Sequence, residues 1–148
     1  MKWLLDTNVV SENVKARPNR GVLERIARLG RTDVAISVVT LAELADGASS
    51  APSEQRRVEL IGWLEEDVIP YFADRTLQLT SAILTDWLRL TRILASRRDT
   101  RKAPDLLIAS TARVHNLIVV TRNVRDFADT GVTVYDPWVD ATHRMDDP

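Results

Sequence analysis

Lys2-Trp3-Leu4-Leu5-Asp6-Thr7-Asn8 opens the chain with a short apolar run that stops on a carboxylate and then on two small polar side chains. A run of this kind predicts a short buried strand over residues 2–5, with Asp6 just past its carboxyl end. The same pattern returns along the chain. Residues 34–36 and 117–120 are apolar, and 132–135 forms a last short strand. Helical spacing fills the intervals. Val22, Ile26 and Leu29 mark a helix over 21–29; 40–48 predicts another, with Thr40 as its N-cap. Pro52 breaks the chain before a helical stretch over 53–68. Ile83, Trp87, Leu90 and Leu94 make 80–94 a long amphipathic helix, and Pro104 suits the first turn of a helix running to about His115. Strands alternating with helices predict an α/β domain with a central, mainly parallel sheet. In such sheets the functional crevice lies beyond the carboxyl ends of the strands. Asp6, and Arg122 with Asn123 after the 117–120 run, are thereby brought to one edge.

Composition narrows what that edge can do. A chain of 148 residues with 45% hydrophobic and 28% charged residues suits one packed domain. It is expected to occupy residues 1–138, with a polar and frayed tail at 139–148. No apolar run spans a bilayer, and the acidic, short start is unlike a signal peptide, so the expected location is the cytoplasm. The absence of cysteine excludes disulfide scaffolds and thiolate metal sites, and two histidines are too few for a His-rich zinc centre. The net charge of -1 gives no sign of a nucleic-acid partner by itself. Its distribution does: Arg97, Arg98, Arg101 and Lys102 crowd one stretch, opposed only by Asp99, and Arg122 stands beside the crevice. Either a solvated loop or a surface for a phosphate backbone fits that stretch. Trp3, Trp63 and Trp87 are expected in the core or at a dimer contact.

The acidic residues form the second half of the argument. Each has an ordinary structural role open to it. Asp6 suits the cap of a turn, Thr40 and Glu43 have capping-box spacing, Asp105 sits in the first turn of a helix, and Asn123 and Asp126 suit turns. Taken together, carboxylates gathered at one edge of a parallel sheet repel each other, and a divalent cation relieves that repulsion. An all-oxygen set without His or Cys suits Mg²⁺ or Mn²⁺. Such an ion lowers the pKa of bound water and polarises a phosphoryl group, the equipment for phosphodiester hydrolysis.

Four ordered motifs sharpen this. Leu-Leu-Asp-Thr-Asn-Val-Val-Ser-Glu at 4–12, Ala-Glu-Leu-Ala-Asp-Gly at 42–47, Pro-Asp-Leu-Leu-Ile-Ala-Ser-Thr-Ala at 104–112 and Val-Thr-Arg-Asn-Val-Arg-Asp-Phe at 120–127 resemble the successive motifs of PIN-domain proteins. The closing Val-Tyr-Asp-Pro-Trp at 134–138 resembles the end of the VapC and FitB branch. The resemblance spans residues 2–138. It implies an α/β/α sandwich and a Mg²⁺- or Mn²⁺-dependent endoribonuclease, the toxin of a toxin–antitoxin pair. It also implies a homodimer restrained by a VapB-like antitoxin, with structured RNA such as tRNA or rRNA as substrate. On the matching positions, Asp6 and Asp105 stand as the principal metal ligands and Glu43 as the third acidic position, with Thr7 and Asn8 supporting them. The fourth position, often Asp, is Asn123 here, and Asp126 is the nearest carboxylate to compensate.

Two rival classes compete with this reading. An aspartyl phosphotransferase of the haloacid-dehalogenase type wants a second Asp where Asn8 stands, and a receiver-like protein wants an adjacent acidic pair and a late lysine that this chain lacks. A non-catalytic PIN module that only binds RNA or protein stays open, because of Asn123; the presence of Asp6, Glu43 and Asp105 weighs against it.

Overall fold

The chain is described from a computed structural model, which covers residues 1–97 and 102–148. Its elements in order are β1 (Trp3–Leu5), α1 (Thr7–Val10), α2 (Arg20–Arg28), β2 (Val34–Ser37), α3 (Val38–Ser49), α4 (Glu54–Trp63), α5 (Ile69–Tyr71), β3 (Thr76–Leu77), α6 (Ser81–Ser96), α7 (Ala103–His115), β4 (Ile118–Val120), β5 (Thr133–Asp136) and β6 (Ala141–Arg144). Single 3₁₀ turns at Ser11–Val14, Arg31–Asp33 and Val124–Phe127 link them, and a wide π turn at Leu64–Val68 joins α4 to α5.

The six strands lie in the order β3-β2-β1-β4-β5-β6. All neighbours are parallel except β5 and β6. Chain order runs outward in one direction from β1 through β2 and in the other through β4, so the topological switch point lies between β1 and β4. That is where α/β sheets open a crevice. The register sets Leu5 opposite Val120, so the residues that follow, Asp6 and Thr121, emerge side by side. The Asp6 amide donates to the Val120 carbonyl at 3.0 Å, carrying the pairing one residue beyond the strand.

Alternation along the strands divides the core into two layers. Leu4, Ala35, Val119 and Val134 face α6 and α7, where Leu90, Leu94, Leu106, Ile108 and Ala112 cover them. Leu5, Val34, Ile36 and Val120 face Val9, Leu44, Leu64, Val68 and Phe72 on the other side. The expected α/β/α sandwich with a mainly parallel sheet is the observed architecture. Trp3 and Trp63 pack against one core layer and Trp87 against the other, as expected of structural tryptophans.

Two local expectations change. Thr40 is not an N-cap. Helix α3 starts directly from β2, its cap is Ser37, whose Oγ accepts from the Val39 amide at 3.1 Å, and Thr40 is buried with its hydroxyl toward the Leu5 carbonyl. A strand that runs into a helix with no loop moves the cap three residues earlier, and the Thr40–Glu43 capping box does not form. The segment after Val139 is not frayed throughout, because Ala141–Arg144 pairs antiparallel with β5. Ladder hydrogen bonds come from the backbone, so a polar sequence can cover an edge that would otherwise be exposed. Strand β3 and helix α1 carry too few residues to show any periodicity. β3 is held instead by Arg75, buried beside it, whose guanidinium donates to the carbonyls of Arg31 at 2.5 Å, Val34 at 2.9 Å and Tyr71. The other boundaries agree: Ser53 and Thr80 cap α4 and α6, and Pro104 lies in the first turn of α7.

Candidate functional site

At the switch point Asp6 is only 4% exposed, yet both carboxylate oxygens are met by donors. Oδ1 accepts from the Thr7 amide at 2.8 Å, which caps α1. Oδ2 accepts from Asn8 Nδ2 at 3.0 Å and from the Thr121 hydroxyl at 2.7 Å. The turn-capping role open to Asp6 is therefore real, and it orients the same carboxylate toward the crevice. Burial pushes its pKa up; Thr121, Thr7 and Asn8 oppose the shift, Asp126 adds to it, and the net direction is upward.

Thr121 is the residue that sequence reasoning missed. It is fully buried and acts at the junction of β1 and β4. While donating to Asp6, its hydroxyl accepts from Asn8 Nδ2 and from the Asn123 amide, both at 3.0 Å. Asn8 in turn accepts the Arg122 amide on Oδ1 at 3.1 Å. The signal in the sequence was a hydroxyl residue immediately after the apolar run that pairs with β1.

Glu43 lies one turn into α3 and is bound across the crevice, where its Oε1 accepts from the Thr7 hydroxyl at 2.7 Å. Burial raises its pKa, Thr7 opposes, Asp6 adds, and Lys102 draws it down; the net shift is upward. Asp105 sits in the first turn of α7, and no donor among the described residues bonds its carboxylate. Burial, then Asp126, Asp6 and Glu43 in that order, push it up to about 6, against the pull of Lys102. These four carboxylates share one electrostatic neighbourhood, drawn from β1, α3, α7 and the Val124–Phe127 turn.

The remaining candidates divide. Asp126 is brought into the charged group, facing both Asp6 and Asp105. Asn123 is exposed, and its side chain makes no hydrogen bond among the described residues. Lys102 faces Glu43 and Asp105. Arg122 is exposed, with its guanidinium over the Trp138 ring. Arg97 ends α6, while Arg98 and Arg101 lie outside the described residues.

The donor chemistry fits a hard divalent cation. The converging groups are oxygens only, the chain has no cysteine, and His115 and His143 sit at the far end of α7 and on β6. Among the described residues no three acidic groups close into a finished cage; the carboxylates interact across a gap, as like charges without a counter-ion do. Asp105, with no donor among the described residues and its carboxyl pushed up to about 6 by burial and the neighbouring carboxylates, is the member of the group that the protein itself satisfies least.

A sheet switch point lined by one buried and three half-buried carboxylates is the centre of a recognisable fold, and the sequence profile described as PIN domain matches residues 3–132. The chain belongs to the PIN-domain family. It is 33% identical over 137 residues to Toxin FitB of Neisseria gonorrhoeae, covering 93% of this chain and 99% of the relative. It is likewise 33% identical over 135 residues to VapC ribonuclease Y4jK of Sinorhizobium fredii, covering 91% and 96%. The crystal structure of FitAcB from Neisseria gonorrhoeae superposes with a TM-score of 0.84 at 32% identity, over 92% of this chain and 98% of that one. No helix among the described residues is long and apolar enough to cross a membrane.

Proposed function

We propose that this chain is the toxin of a toxin–antitoxin pair and acts as an endoribonuclease, with Asp6, Glu43 and Asp105 holding Mg²⁺ or Mn²⁺ in the crevice. The observation that carries the reading is the convergence of the Asp6, Glu43, Asp105 and Asp126 carboxylates on the switch point, with no donor to Asp105 among the described residues. A bound Mg²⁺ or Mn²⁺ supplies a lowered water pKa and charge stabilisation at the phosphoryl oxygens. The protein does the positioning. Asp6 is locked by its hydrogen bonds to Thr7, Asn8 and Thr121, and Glu43 is held by Thr7. Asp105 is left without a donor, so that an ion can satisfy it. Asp126 adds charge at the rim, and the exposed Asn123 amide is placed to orient water. Lys102 and Arg122, with Arg97, Arg98 and Arg101, meet the RNA backbone. The relatives' names, a toxin and a VapC ribonuclease, favour RNA as substrate and a cognate VapB-like antitoxin as partner. The working form is a cytoplasmic homodimer cutting structured RNA such as tRNA or rRNA.

The test is cleavage of total tRNA and rRNA by purified chain, freed of antitoxin, with Mg²⁺ or Mn²⁺, with excess EDTA, and with Asp6→Asn. Cleavage that needs the ion and is lost in the variant is expected. RNA binding without cleavage under every ion condition would overturn this in favour of a non-catalytic PIN module, for which the neutral Asn123 is the specific argument.

A further inference from the structure

The closing motif ends on Trp138, and the acidic centre makes no use of it. Two cations from different stretches of the chain reach its indole. The Arg122 guanidinium stands 5.4 Å from the ring centroid and the Lys15 ammonium 6.0 Å from it. Trp138 is itself fixed, because its amide donates to Asp136 Oδ1 at 2.8 Å and its ring packs on the core layer beneath. Lys15 has a second anchor. Glu12, 2% exposed, forms an ion pair with Lys15 Nζ at 2.5 Å. The other Glu12 oxygen accepts from the Asn19 amide at 2.8 Å, which ties down the loop between the first 3₁₀ turn and α2. Glu12 also feels the Arg122 charge.

This cluster adjoins the acidic centre through the backbone. Arg122 follows Thr121, whose hydroxyl touches Asp6, and the Arg122 amide is bound by Asn8. Glu12 is the one carboxylate that meets these cations directly, while the neighbouring Asp136 carboxylate is engaged by the Trp138 amide, so this flank offers cationic donors beside a centre that repels phosphate. The cation–π contact matters as well. A guanidinium over an aromatic ring uses its face, and its donors lie in plane and stay available to an anion. Both residues are exposed, yet each head group already has a partner, Glu12 for Lys15 and the Trp138 ring for Arg122, so less side-chain entropy remains to be lost on binding.

We propose that Lys15 and Arg122, held in place by the Trp138 ring and the Glu12 carboxylate, form a clamp for a phosphate of the RNA strand next to the one being cut. The clamp rests on the ribonuclease reading above and adds a binding surface to it. Lys15 and Arg122 contact the backbone. Trp138 and Glu12 are positioning residues, acting through the cations.

The test uses full-length chain carrying Asp6→Asn, which prevents cutting, and a labelled single-stranded RNA oligonucleotide titrated at several salt concentrations. Arg122→Gln is expected to weaken binding several-fold and to flatten the log–log salt slope by about 0.7, the loss of one phosphate contact. Trp138→Leu should weaken binding in the same direction, while Trp138→Phe, which keeps an aromatic face, restores most of it. In the cleaving background these changes should raise KM more than they lower kcat. Wild-type affinity and salt slope in Arg122→Gln would overturn the clamp, whatever becomes of the Leu variant's folding. A weakened Trp138→Leu that Trp138→Phe fails to rescue, with an unchanged slope, would overturn the positioning role. Failure of the unmutated chain to cut RNA under any ion condition is a separate result and removes the ribonuclease reading itself.

Discussion

Replacing Thr121 by Val removes one hydroxyl from the centre of the site and leaves the side-chain volume almost unchanged. The Thr121 hydroxyl donates to Asp6 Oδ2 at 2.7 Å, and neither residue has water access to replace that bond, with Thr121 at 0% and Asp6 at 4% exposure. A hydrogen bond to a charged acceptor contributes about 1.5–3 kcal/mol. The two bonds that the hydroxyl accepts matter less. Asn8 Nδ2 keeps Asp6 as an acceptor, and the Asn123 amide lies beside an exposed residue where water reaches. The expected destabilisation is thus about 2–3 kcal/mol. For a domain of this size, about 2–4 °C per kcal/mol converts it to a drop in Tm of roughly 5–10 °C. Because the hydroxyl holds the Asp6 pKa down, its loss should also move the acid limb of the RNA-cleavage profile to higher pH. Thermal unfolding in metal-free buffer and a pH–rate profile measure the two effects. Thr121→Ser, which keeps the hydroxyl, should recover most of both. A Tm within about 1 °C of wild type, with an unmoved acid limb, would refute the assignment of Thr121 as the support of Asp6.

Three further outcomes follow from the same geometry. Asp6, Glu43 and Asp105 all titrate above ordinary carboxylates, Asp105 at about 6, so between the ordinary carboxylate range and that value the folded chain binds more protons than the unfolded one. Stability of the metal-free protein should therefore fall as pH rises through this window, and added Mn²⁺ should raise Tm more at pH 8 than at pH 5; equal shifts at both would count against an ion among these carboxylates. Arg75→Leu strands the carbonyls of Arg31, Val34 and Tyr71 and should cost about 3 kcal/mol or more by denaturant titration, with Arg75→Lys a poor substitute because it lacks the planar fork; unaltered stability would contradict the role given to this buried guanidinium. Asn123→Asp should tighten Mn²⁺ binding in calorimetry by adding charge at the rim, and two tight ions already present in the unmutated, RNA-free chain would show that the neutral amide is no handicap.

The class of fold was legible in the sequence because it rests on local periodicity. Apolar runs of three or four residues, separated by stretches of helical spacing and with Pro104 in a first turn, require only near neighbours to be read. The same locality exposed Asp6, Glu43 and Asp105 as carboxylates at element ends, and the family motifs gave them their order. Locality also misled: Thr40 and Glu43 have the spacing of a capping box, but the helix begins earlier and Glu43 is bound by Thr7, 36 residues away in the chain. Whatever depends on register came only from the tertiary structure. Pairing Leu5 with Val120 sets Thr121 against Asp6 across 115 residues, and a shift of one residue would turn one of them to the other face. The polar segment that becomes β6 is likewise invisible to hydrophobic patterning, because its backbone, not its side chains, closes the sheet edge. Lys15, Glu12, Arg122 and Trp138 come from three separate stretches that share no motif. Composition and spacing specify which residues are available and which elements they belong to; strand order and register decide which of them touch, because backbone pairing fixes which side chains are set opposite one another.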